Sequence, residues 1–146
     1  MGTSNPKVSD RVRFHLRFGW WSLLAFLTLG VALEALHGFK VGFYLDIDNE
    51  VRRLTWTLAH AHGALLGLVH VALAATLHIA KPEGWGPILG SRAMTIASVL
   101  LPLGFFLGGI GTHGGDPGVG IVFVPVGALA LFLGVALVGF SLGGKR

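Results

Sequence analysis

Cysteine is absent from the 146 residues, tyrosine occurs once, and charge is thin, with 7 acidic side chains against 11 lysines and arginines. Without cysteine there are no disulfides, no iron–sulfur clusters and no thiol nucleophile. Charged residues make up 12% of the chain and hydrophobic ones 53%, and the charges lie almost wholly outside four long apolar runs. Such a chain belongs in a lipid bilayer. A complete phosphate-binding loop of the form G-x-x-x-x-G-K-[ST] and an H-E-x-x-H helix are also missing, which argues against nucleotide chemistry and zincin-type proteolysis. The net charge of +4 fits basic flanks that orient membrane spans, and no nucleic-acid role is expected.

What is present divides into four expected spans, about 19–37, 54–79, 93–110 and 119–142, in one transmembrane domain over residues 1–146. Residues 1–17, with Lys7, Arg11, Arg13 and Arg17, read as a short polar flank on anionic lipid, and His15 within it reads as a surface residue. Trp20 and Trp21 then suit the headgroup level. The connection from Gly38 to Arg53 mixes charges with Phe39, Phe43 and Tyr44, and suits a piece on the membrane surface or a cap on the bundle. Lys81-Pro82-Glu83-Gly84 is a turn, and Gly111 to Gly118 is too glycine-rich to continue a helix.

Basic residues predict the topology. With both termini cytoplasmic, that side holds Lys7, Arg11, Arg13, Arg17, Lys81, Arg92, Lys145 and Arg146, against Lys40, Arg52 and Arg53 outside, diluted by Asp46, Asp48 and Glu50. The expectation is an all-α four-helix transmembrane bundle in the cell inner (plasma) membrane, homo-oligomeric or part of a larger complex. The pairs Gly63/Gly67 and Gly104/Gly108 let helix backbones approach closely.

Against this apolar ground, the run from Leu54 to Ile79 carries His60, His62, His70 and His78 without one Asp, Glu, Lys or Arg. Polar rings inside a span need partners, a wet cavity or a cofactor. The topology places Glu34, His37, His60, His62, His113 and Asp116 toward the outer leaflet, while His70 and His78 lie in the inner half. His37 and His113, at helix ends, equally suit headgroup-level roles, and His70 suits a buried hydrogen bond. Positions two apart on a helix diverge by about 200°, so His60 and His62 serve opposite faces rather than one mononuclear site.

The segment Thr57-Leu58-Ala59-His60-Ala61-His62-Gly63-Ala64-Leu65-Leu66-Gly67 resembles the His-x-His helix of catalytic subunits in the haem–copper oxidase and nitric oxide reductase superfamily. The resemblance covers about a dozen residues and implies a reduced, four-span relative. It implies haem b, with His60 matching the ligand of the high-spin haem and His62 that of the low-spin haem, and His37, His113 or His70 as further ligands. Electron transfer or chemistry on a small gas such as oxygen or nitric oxide would follow.

Two alternatives stand beside it. One is a non-haem copper, iron or zinc site built from Glu34, His37, His60 or His62, and His113. The other is a non-enzymatic accessory subunit of a larger membrane complex, or a relay in which intramembrane histidines pass protons. On the ligand reading, His62→Ala removes a cofactor signal from the visible spectrum of the purified protein and His15→Ala does not. Equal cofactor content in the two variants would rule it out.

Overall fold

The computed structural model describes residues 6–45 and 50–143, with side chains from residue 8 onward. Among the charges used for topology, Asp46, Asp48, Lys145, Arg146 and the side chain of Lys7 lie outside the described residues. Four helices follow in order: α1 (Pro6–Gly38), α2 (Glu50–Ala80), α3 (Gly86–Ile110) and α4 (Phe123–Leu142), the last entered through a 3-10 turn at Val119–Val122. All four are long and apolar enough to cross a membrane. The chain is an all-helical, multi-pass integral membrane protein.

The first helix corrects the reading of residues 1–17 as a separate polar arm. Pro6 opens α1, a position where its missing N–H costs nothing, and no glycine or proline interrupts the helix before Gly19. Val12 packs against the Leu73, Leu77 and Met94 core, His15 and Gly19 are buried, and Leu23 and Leu33 continue the same stripe. The exposed Arg13 pairs with Asp10 at 2.5 Å. α1 ends in a paired-carbonyl cap, in which Lys40 N–H bonds His37 O and Val41 N–H bonds Leu36 O with Lys40 at φ 52°.

Neighbours in sequence are neighbours in space: α1 packs on α2, α2 on α3 and α3 on α4. α1 and α3 therefore flank α2 and have no extensive interface of their own. Glycines set these distances. A Cβ at Gly67 would stand 3.1 Å from the Gly19 carbonyl oxygen, and one at Gly134 would stand 3.2 Å from that of Gly90. Gly63 and Gly67 face α1, whereas Gly104 and Gly108 face Val124 and Ile121, so both GxxxG pairs lie in helix seams. Gly120, Gly127 and Gly134 recur every seventh residue and line one face of the last span toward α3.

Pro102 lies within α3 and Pro125 in the first turn of α4. The former leaves the Ser98 carbonyl without its helical donor, and the latter costs no helical bond. The string Gly139-Phe140-Ser141-Leu142-Gly143 has G-x-S-x-G spacing, but it forms the end of α4 and Ser141 Oγ–H donates to Val138 O at 2.6 Å. It is not the strand-to-helix elbow that a serine nucleophile needs.

The first connection caps the bundle. Tyr44 is 4% exposed and stacks on Trp56, which in turn stacks on Phe106 and donates its indole N–H to Phe106 O at 3.0 Å. Arg52 donates to Gly109 O, Phe43 O and Thr112 Oγ1, tying two connections and the end of α3 together. Gly139, unlike Gly134, meets nothing within 4 Å. Gly134→Val should therefore lower stability by about 1–3 kcal/mol through overpacking, while Gly139→Val should leave it unchanged, as read from thermal unfolding in detergent.

Candidate functional site

Two polar layers interrupt the apolar interior. The layer nearer the start of α1 and the α2–α3 turn is called proximal, and the layer near the first and third connections is called distal.

The proximal layer joins three helices through His15 of α1, His70 of α2, and Ser91 and Ser98 of α3. Both rings are 0% exposed, which overturns the surface reading of His15. His15 Nδ1 lies 2.7 Å from His70 Nδ1, His15 Nε2 lies 2.5 Å from Ser91 Oγ, and His70 Nε2 lies 2.9 Å from Ser98 Oγ. The rings of Phe14 and Phe18 pack against this pair, with centroids 5.1 Å from His15 and 4.4 Å from His70 respectively.

The direction of each bond follows from one anchored hydrogen. Ser98 Oγ–H donates to Met94 O at 2.8 Å, so Ser98 Oγ accepts from His70 Nε2–H. With both rings neutral, His70 Nδ1 is then an acceptor and His15 Nδ1–H its donor, which leaves His15 Nε2 to accept from Ser91 O–H. Every polar hydrogen in the chain Ser91–His15–His70–Ser98–Met94 O is placed, and all point one way. Such a row holds three helices in register and is chemically able to relay a proton between the two serines. His70 has no ring nitrogen left for a metal while this row is intact.

The signal for His15 is in its spacing. Val8, Val12, His15 and Gly19 recur at intervals of four, three and four residues, the stripe of a helix that packs on a partner. Treating residues 1–17 as a flank hid the stripe.

The distal layer brings together some of the expected residues and separates others. A cavity of about 680 Å³ between α1 and α2 is lined by Glu34, His37, Tyr44, Glu50, Arg53, Thr57 and His60, among others. His62 turns to the opposite face, its ring centroid 4.9 Å from that of Phe105 on α3. His113 is exposed in the α3–α4 connection, where His113 and Asp116 exchange main-chain hydrogen bonds across Gly114 (φ 57°) and Gly115 (φ 87°). That is a tight reversal in which both central residues need a left-handed backbone. His78 is exposed at the end of α2. Among the described residues, no three His, Asp or Glu side chains stand close enough to hold a metal ion.

The tautomers of the distal rings are fixed by chemistry, because a carbonyl can only accept. His60 Nδ1–H donates to Phe26 O at 2.7 Å, His62 Nδ1–H to Leu58 O at 2.8 Å, and His113 Nδ1–H to Gly111 O at 3.2 Å. In each neutral ring Nε2 then carries the lone pair. The His60 ring lies against Gly30, where any Cβ would collide with it. A glycine at that turn of α1 is what admits the ring.

In the proximal layer, imidazole ¹⁵N shifts should report His15 as the Nδ1–H tautomer and His70 as the Nε2–H tautomer; the reverse pair would contradict the assigned direction. His15→Ala should cost roughly 1–3 kcal/mol for each group left unpartnered, which makes it a stability variant rather than a neutral control. Comparison of the chain with protein-family models, with curated proteins and with solved structures gives no match.

Proposed function

We propose that this integral membrane protein binds haem b through His60, for electron transfer or small-gas chemistry at the distal end. The observation that carries the reading is the His60 ring. It lines a cavity, its Nδ1–H is held by the Phe26 carbonyl, and its Nε2 lone pair has no partner among the described residues. A histidine ligand is ordinarily arranged in this way, with one nitrogen oriented by an acceptor so that the other is free and more basic.

The donor set favours haem over a non-haem ion. A copper, iron or zinc site built by protein alone needs three or four converging ligands, and the described residues offer no such group. Haem brings four nitrogens of its own and needs one or two axial ligands from the protein. Arg53, paired with Glu50 at 3.2 Å, and Thr57 place a guanidinium and a hydroxyl on the cavity wall beside the carboxylates of Glu34 and Glu50. Bound haem would supply one-electron chemistry and an iron that takes small gases. The residues of the chain hold His60 in one tautomer and clear space for its ring at Gly30. His62, equally anchored but on the α3 side, does not share the cavity of His60 and would hold a haem only at a separate position.

The test is a visible spectrum of protein purified in mild detergent from haemin-supplemented cells, oxidised and then reduced. The wild type should show a Soret band and sharp reduced bands. His60→Ala should lose them while keeping its helical circular dichroism, and His113→Ala should keep both. A folded wild type without haem under these conditions would overturn the proposal.

A further inference from the structure

Because α1 and α3 both lean on α2 and meet each other directly only around the His15–Ser91 hydrogen bond, a cleft of about 1070 Å³ opens between them. Its walls are mainly aromatic and aliphatic, with Phe18, Trp21 and Phe26 from α1 facing Phe106 from α3. Arg13 and Arg17 line it at the proximal end. From Arg13 to Phe26 the helix rises about 20 Å, which exceeds half of a ~30 Å hydrocarbon layer. The cleft therefore has the reach of one leaflet.

Charge selects the occupant. Arg13 and Arg17 stand one turn apart on the same face, a like-charge arrangement that is unfavourable until an anion bridges it. Asp10, also on the cleft wall, takes one guanidinium nitrogen of Arg13, and Arg17 is exposed with no hydrogen bond or ion pair among the described residues. Two cations and one carboxylate leave a single positive charge at the mouth. That is the complement of one phosphodiester lacking a compensating ammonium group. Basic pockets between membrane helices favour anionic headgroups, and each nearby arginine adds attraction. Trp20 and Trp21, at 63% and 67% exposure, mark the adjoining headgroup level.

We propose that the α1/α3 cleft is a binding site for one anionic phospholipid of the proximal leaflet, its phosphate held by Arg13 and Arg17 and an acyl chain lying between Trp21, Phe26 and Phe106. This inference is independent of haem binding at the distal end.

The protein, purified in mild detergent, is incubated with equal amounts of phosphatidylglycerol and phosphatidylcholine, and the lipids it retains are counted by native mass spectrometry. The wild type should keep one phosphatidylglycerol per chain with at least a five-fold preference. Arg13→Gln/Arg17→Gln should bring the two lipids to parity, and Arg17→Gln alone should lower the preference with less disturbance of α1. Val99→Trp, which fills the cleft without changing charge, should reduce retention of both lipids, while Lys81→Gln, a basic site outside the cleft, should leave the wild-type pattern. Equal retention of both lipids by the wild type, or a preference that survives the double substitution, would overturn the proposal.

Discussion

Inside a hydrocarbon layer a polar hydrogen has no water to turn to, and the helices of this protein sit where their histidine hydrogens find acceptors. α1 is joined to α2 twice in this way. His15 Nδ1–H reaches His70 at the proximal end, and His60 Nδ1–H reaches the Phe26 carbonyl at the distal end. Between these points Gly19, Gly63 and Gly67 let the two helices approach closely. Glycine sets the distance between the helices, but it leaves them free to slide. The two histidine bonds fix the register, and Ser91 and Ser98 extend it to α3.

The same constraint sorts the histidines by chemistry. His15 and His70 spend both ring nitrogens on one another and on hydroxyls, so they are closed to further ligands. His60, His62 and His113 spend one nitrogen on a main-chain carbonyl and keep the other in reserve. Sequence position does not separate these groups, because all five are histidines in or beside apolar runs. The identity of the acceptor does: a hydroxyl or a second imidazole takes either role, whereas a carbonyl dictates the tautomer.

Apolar run length made the four spans legible, and the divergence of His60 from His62 followed from 100° per residue. Gly63/Gly67 and Gly104/Gly108 were readable as contact points for the same reason. The candidate site was legible only in part. Topology gives each residue a height in the membrane but no direction around the bundle axis, so Glu34, His37 and His60 share a cavity while His62, at nearly the same height, faces Phe105. His113 was named as a candidate, but its exposed place apart from the cavity was not legible, because the reversal at Gly114 and Gly115 is set by backbone conformation. His15 was missed through segmentation, since its arginine neighbours suggested a surface flank although its stripe with Val12 and Gly19 was already that of a buried helix face.

The last helix stands apart from this hydrogen-bonded set. α4 meets α3 through small residues at Gly127 and Gly134 and shares no side-chain hydrogen bond with another helix among the described residues. A segment so apolar is stable in lipid alone, before it has any partner. During biogenesis α1, α2 and α3 must find one another to retire their polar hydrogens, whereas α4 can leave the translocon as a free span and dock afterwards. Damage to the seam at Gly134 would thus reach the cell's quality control as a late assembly fault, with the three-helix unit already formed.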